Sequence, residues 1–129
     1  MRESSNSSRV TQHGLEFMPL TYEEFEHVEM RVGRIIKAEE FLNARKPAFK
    51  LWIDFGLELG IKQSSAQITK LYTLDDLLGR QVIAVTNFAP RQIATFISEV
   101  LVLGLVGDGE GEVILLQPDR KVTNGLRVF

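Results

Sequence analysis

From Val28 onward apolar residues recur with a period of two. Val28, Met30 and Val32 alternate with Glu29, Arg31 and Gly33, the pattern of a strand with one face in water. Ile35 and Ile36 break the alternation, and Gly33 inside the run predicts a bulge or a tight bend. A polar loop over 43–47, ending in Pro47, leads to AFKLWIDF at 48–55. There Phe49, Leu51, Ile53 and Phe55 share one face while Lys50, Trp52 and Asp54 take the other. After a turn over 56–60, residues 61–68 read as a third strand. Leu71, Leu74, Leu77 and Leu78 then fall on one stripe of a helix that Gly79 stops. Residues 81–88 and 98–106 read as a fourth and a fifth strand. A glycine-rich turn over 107–111 follows, then a short strand at 113–117 and a last edge segment at 125–129.

Upstream, Thr21 and Glu24 have the spacing of a capping box, which predicts a short helix over 22–27. Glu23, Glu24 and Glu26 suit the positive end of its dipole. Residues 1–19, with Ser4, Ser5, Asn6, Ser7 and Ser8, have the composition of a flexible arm. The expected organisation is therefore an arm over 1–19 and one domain over 20–129. Three strands, a small helix and two more strands give the order of an OB fold, a five-stranded Greek-key barrel. The class is all-β with short helices and with N- and C-terminal extensions. Another small barrel would show the same periodicity.

The 129 residues carry 15 basic and 17 acidic side chains, a net charge of −2, which excludes coating nucleic acid by bulk charge. Absence of cysteine excludes disulfides, thiolate zinc sites and cysteine nucleophiles. No apolar run approaches the roughly 20 residues of a membrane span, and the polar start is unlike a secretory signal. A cytoplasmic domain without membrane insertion is the expectation. Catalysis has little to work with. The two histidines are His13 in the arm and His27 behind an acidic helix. Asp75 and Asp76 are helix neighbours about 100° apart and form no dyad. Gly107, Gly109 and Gly111 join two strands beside Asp108 and Glu110, which would repel phosphate. No enzyme, metal or cofactor is expected.

Local charge is more informative. Residues 31–50 hold six bases against two acids, whereas residues 21–30 hold four glutamates and no base. Arg45, Lys46 and Lys50 would stand in the groove between the first two barrel strands, the usual place for single strands and bent RNA. Phe41, Phe49 and Trp52 lie near them, to stack on bases or to fill core. Phe49 shares the stripe of Leu51 and Ile53, which favours core. Trp52 faces the other way, as a functional aromatic or as ordinary surface or interface burial. In residues 101–106 both strand faces are apolar, so something covers the outer one. A second subunit across Leu101, Leu103 and Leu105 would do so, and so would the N-terminal helix.

The strings GIKQSSAQIT at 60–69, QVIAVTNF at 81–88 and SEVLVLG at 98–104 carry a resemblance. With Arg31-Val32-Gly33, WIDFG at 52–56, LQPD at 116–119 and Asn124-Gly125 in the same order, the chain from about residue 25 to 129 resembles the tRNA-binding OB domains. That family includes the C-terminal domain of many methionyl-tRNA synthetases, and the likeness is closest to its small bacterial export-related chaperones. The resemblance implies a non-catalytic OB-fold homodimer that binds unfolded precursor proteins and associates with the export ATPase SecA. The alternative it implies is a structure-specific tRNA-binding protein. It places Arg45, Lys46, Lys50, Lys62, Asn87, Arg91 and Ser98 on or near the RNA face, although Asn87 and Ser98 also suit turn and strand-end hydrogen bonds. Peptide capture would use grooves bordered by Phe49, Trp52 and Phe88, with polar edges from Ser64, Ser65 and Gln67. Gln92 stands where relatives commonly carry a second base, which weakens the phosphate case. Thr95 stands where they keep glycine, so a turn needing positive φ must be built differently here.

Overall fold

The computed structural model of the protein describes residues 11–12 and 15–129. Most of the expected arm, His13 included, lies outside them. At its edge Thr11–Gln12 (β1) pairs antiparallel with Leu15–Glu16 (β2). The capping box is present at Tyr22–Glu26 (α1): the Glu24 amide donates to Thr21 Oγ1 at 3.1 Å and the Thr21 amide donates to Glu24 Oε1 at 2.9 Å.

Met30–Glu40 (β3) is long enough to serve two neighbours. Its first half pairs with Gln81–Val85 (β6) and its second half with Phe49–Asp54 (β4). β4 pairs in turn with Ile61–Ala66 (β5), and β6 with Leu101–Val102 (β9), giving the antiparallel order β5-β4-β3-β6-β9. The free edge of β5 meets the segment before β9. The Glu99 amide donates to the Gln63 carbonyl, the Gln63 amide to Glu99 Oε1, and the Ser65 amide to Ser98 Oγ. The sheet thus closes into the barrel that the element order predicts. Inside it lie Ile35, Leu51, Ile53, Phe55, Val82 and Ala84, all essentially inaccessible, with Leu77 of the short helix Leu74–Leu77 (α3) over one end.

Several elements differ from expectation, each for a local reason. Gly33 makes no bulge. A Cβ there would stand 2.5 Å from Ile53 Cγ2 and 2.7 Å from two ring carbons of Phe55, so glycine permits close approach. The bulge lies between Ile35 and Lys37, where the alternation breaks. The turn after β4 is one helical turn, Gly56–Leu59 (α2). The helix over 71–78 contracts to α3 because Thr73 caps it, leaving Leu71 and Leu78 exposed. The single strand over 98–106 is three pieces. Phe96–Ser98 (β8) pairs with Arg91–Ile93 (β7), β9 belongs to the barrel, and Gly104–Val106 (β10) pairs with Val113–Leu115 (β11). The chain after 122 is tied down as an edge segment. Gln81 Nε2 donates to the Val122 carbonyl at 2.7 Å and to Asn124 Oδ1 at 2.9 Å, and the Val128 amide donates to the Met30 carbonyl.

Candidate nucleic-acid interface

Six bases in residues 31–50 suggested one positive stretch, but the fold divides them. Arg31 is bound inward: its Nε donates to Glu29 Oε2 at 2.8 Å and its NH1 to the Gly125 carbonyl at 3.0 Å. The hydrogen bond that Arg31 donates to Glu29 outweighs partial burial and raises the Arg31 pKa above its ordinary value, and the charged guanidinium acts as a clamp on the C-terminal segment. Arg34 donates to the Gly79 carbonyl at 2.8 Å. Arg45 and Lys46, on the loop between β3 and β4, are exposed.

Across from that loop stands the β7–β8 hairpin. Its two-residue turn is Ala94-Thr95, and Ala94 takes φ +54°, so the left-handed position falls on Ala94 and not on Thr95. The hairpin is anchored by Phe96, buried between Phe41 and Trp52 with ring centroids 5.5 and 5.7 Å away, both edge to face. These rings, with Ala48, Ala44 and Ile93, form a second small core outside the barrel. The anchoring turns Arg91 toward Arg45 and Lys46. All three line one open cleft of about 710 Å³, whose other walls include Ser65, Gln67, Ile93, Leu101 and Val102. A smaller cleft of about 220 Å³ adjoins it, sharing Ser65, Arg91 and Leu101 and adding Phe88, Ala89 and Val100.

The expected site residues therefore separate. Arg45, Lys46, Arg91, Ser65 and Gln67 meet at the cleft, and Phe88 meets Arg91 beside it. Lys50 stands near by, on the outer face of β4. Lys62 is at the far end of β5, about four residues or 13 Å along the strand, opposite Ile53 on the core side. Phe49 and Ser64 are buried and unavailable to a peptide; Ser64 Oγ donates to the Ser65 carbonyl. Asn87 and Ser98 make the hydrogen bonds of the structural alternative, and Ser98 also lines the smaller cleft with Arg91. Asn87 Oδ1 accepts from the Glu29 amide at 3.0 Å and its Nδ2 donates to the His27 carbonyl at 2.7 Å, while Ser98 Oγ holds the Ser65 amide. Trp52 is half-buried under Lys37, whose Nζ lies 4.6 Å from the ring centroid. Sequence reasoning singled out neither Lys37 nor Phe96. Phe96 follows a turn without glycine, asparagine or aspartate, so no hairpin signal precedes it.

The apolar strand face remains open. Leu101, Leu105, Val106 and Ile114 are 47, 55, 93 and 42% exposed, Leu103 is half-buried, and α1 buries none of its own residues. That helix is held instead at the start of β3, through Asn87 and through Arg127, whose NH2 donates to the Glu26 carbonyl. Among the described residues no helix is long and apolar enough to cross a membrane, and no cluster of His, Asp and Glu has metal-ligating geometry.

Comparison with known proteins agrees with this architecture. Residues 30–127 match the family described as "Putative tRNA binding domain". The methionine–tRNA ligase of Pelodictyon phaeoclathratiforme is 34% identical over 118 residues, 91% of this chain and 16% of the ligase. That of Thermococcus onnurineus is 35% identical over 107 residues, 83% of this chain and 14% of the ligase. The chain thus spans about a sixth of these enzymes. Among solved structures, the chaperone CsaA of Bacillus anthracis is 51% identical with a TM-score of 0.81, covering 87% of this chain and all of that one. The CsaA chaperone of Picrophilus torridus is 47% identical with a TM-score of 0.79, covering 86% of this chain and all of that one. An OB-type barrel, cations gathered at one cleft, and likeness along nearly the whole described domain converge: the chain belongs to the tRNA-binding OB-domain family, in its CsaA-like branch.

Proposed function

We propose that this chain is a non-catalytic binding protein that holds folded tRNA against the cleft of Arg45, Lys46 and Arg91. The observation that carries this reading is the convergence of three exposed cations, from two segments far apart in sequence, on one open cleft in a chain of net charge −2. Two guanidinium groups offer planar donor pairs to phosphate oxygens, and Lys46 adds a mobile point charge. Ser65 and Gln67 supply neutral donors and acceptors within the same walls. The methionine–tRNA ligases that share this domain act on tRNA by name, and tRNA is the polyanion proposed here. The test is anisotropy of labelled tRNA across salt concentrations. Replacing Arg45, Lys46 and Arg91 by alanine should flatten the slope of log K against log salt by about 2–3, at roughly 0.9 for each phosphate no longer neutralised. An unchanged slope overturns the assignment.

A second reading has its own observation. The cleft has an apolar wall of Ile93, Leu101, Val102 and Val113, and the adjoining cleft adds Phe88 and Val100. An unfolded segment could lay an apolar side chain there, as suits the chaperone named in the CsaA structures. On this reading the protein captures precursors for export in the cytoplasm, with SecA as a further partner, and an unfolded precursor displaces bound tRNA. Failure of displacement separates the two activities. The open face of Leu101, Leu105, Val106 and Ile114 supports a homodimer in either case. Leu105→Asp should then sediment as a monomer, and a wild type that is monomeric at high concentration removes the dimer.

A further inference from the structure

Beyond the cleft, the outer face of the β3–β4 ladder carries a closed set of charges laid over aromatic rings. Lys37 stands opposite Trp52 in the register, and Glu39 opposite Lys50. Lys37 Nζ is 3.3 Å from Glu39 Oε2, and Lys50 Nζ is 3.8 Å from Glu39 Oε1. One carboxylate therefore engages two lysines, one through each oxygen. Lys37 lies over Trp52, and Lys50 lies 5.6 Å from the centroids of both Phe41 and Phe96. The set continues the cleft. Ser65, in the cleft wall, is the register partner of Lys50 across β4 and β5, one strand spacing of about 4.8 Å away.

We infer that Lys37 and Lys50 extend the phosphate-binding track and that Glu39 keeps them masked, so that Glu39 sets how tightly and how salt-sensitively the chain holds a polynucleotide backbone. The side chains of Lys37, Glu39 and Lys50 are 58, 45 and 28% exposed, so these ion pairs are weak and exchangeable. A lysine on a flexible stem can leave a ring and reach a phosphate oxygen. The obstacle is the carboxylate between the two, which repels the arriving phosphate and competes for both ammonium groups. Removing its charge while keeping its shape should release both lysines.

The inference rests on the proposed tRNA binding, and the experiment separates their failures. The tRNA salt titration is run on wild type, Glu39→Gln, Glu40→Gln, the Arg45/Lys46/Arg91 alanine variant, and Glu39→Gln with Lys37 and Lys50 replaced by alanine. Glu40 lies opposite Phe49, on the other face of β3, so Glu40→Gln controls for net charge. Glu39→Gln should bind several-fold tighter at 0.1 M salt and steepen the slope by about 0.9 for each lysine engaged. Glu40→Gln should do neither, and the lysine replacements should abolish the gain. If the cleft variant has a flatter slope while Glu39→Gln matches wild type or Glu40→Gln, the inference fails and the cleft stands. If Glu39→Gln steepens the slope through Lys37 and Lys50 while the cleft variant is unchanged, the inference stands and the cleft assignment fails. No tRNA binding by any variant overturns both.

Discussion

Replacing Gly33 with alanine places one carbon where the barrel has no room, and the consequence can be sized. The added Cβ would meet Ile53 Cγ2 at 2.5 Å and the Phe55 Cδ1 and Cε1 atoms at 2.7 Å. Ile53 is 0% and Phe55 1% exposed, so neither side chain can swing into solvent to make way. Overpacking of this kind costs about 1–3 kcal/mol. Against it, alanine in a strand interior gains roughly 0.5–1 kcal/mol over glycine through the unfolded chain. The net loss is about 1–2 kcal/mol, or roughly 5–15 °C in Tm for a domain near 100 residues. Trp52, the chain's one tryptophan, reports the melt through its emission. Gly60→Ala should lose stability for a different reason: a Cβ there meets nothing within 4 Å, but its φ of +72° and ψ of −154° lie in backbone space open almost to glycine alone. Gly33→Ala melting at or above wild type would refute the close-approach argument.

Ala94→Gly should act in the opposite direction. Ala94 is the one non-glycine residue with positive φ among the described residues; left-handed backbone costs about 1–2 kcal/mol there, so glycine should raise stability by about 0.5–1 kcal/mol after its entropy cost, and a lower Tm counts against the turn geometry. Acid unfolding should report the two capping boxes. Backbone hydrogen bonds from Thr21 and Thr73 lower the pKa of Glu24 and Asp76 below their ordinary values of 4.5 and 3.8. Their contribution is full above the unfolded-state values and is lost as pH falls through the lower folded ones. The double variant Glu24→Gln/Asp76→Asn should therefore show a flatter stability profile below about pH 4.5 and converge with wild type in stronger acid; parallel profiles would show that the caps carry no linkage.

The parts legible in the sequence were those set within one strand or one cap. Alternation at Phe49, Leu51 and Ile53 gave β4 its faces, and Thr21 with Glu24 gave α1 its start. The parts that were not legible depend on packing between distant segments. Arg91 meets Arg45 and Lys46 only because Phe96 anchors the hairpin on Trp52 and Phe41. Asn87 and Ser98 read equally well as ligands or as structural donors and acceptors; the docking of α1 and the closure of the barrel at Ser65 give each a structural hydrogen bond, and folding also sets Ser98 in the smaller cleft.

The break at Ile35 and Ile36 has a functional consequence that can be argued from register alone. Ile35 faces Ile53, and Lys37 faces Trp52, so Ile36 is the extra residue of the bulge and is 44% exposed. Side chains alternate across a strand, so a one-residue slip moves every later one to the opposite face. In an unbroken ladder of the same residues, Lys37 would stand opposite Leu51 and Glu39 opposite Phe49, both core positions, and Ala38 would move outward opposite Lys50. By absorbing Ile36, the bulge places Lys37 beside Trp52 and Glu39 beside Lys50 on the outer face, the arrangement on which the inferred masking of the two lysines depends. Deleting Ile36 removes the extra residue and leaves Lys37 next to Ile35, still opposite Trp52, so both lysines keep their places in a regular ladder. Deleting Ala38 has no such solution. If the bulge stays, Glu39 falls opposite Leu51; if it closes, Lys37 does. Either register drives a charge toward a barrel interior that offers it no partner, at a cost of several kcal/mol per ion. The Ile36 deletion should therefore melt cooperatively and, combined with Glu39→Gln, keep the steeper tRNA salt slope of that variant, whereas the Ala38 deletion should leave no cooperative thermal transition. An Ala38 deletion that melts as wild type does, or an Ile36 deletion that folds but loses the slope gained by Glu39→Gln, would show that the register of β3 is not what presents the lysines.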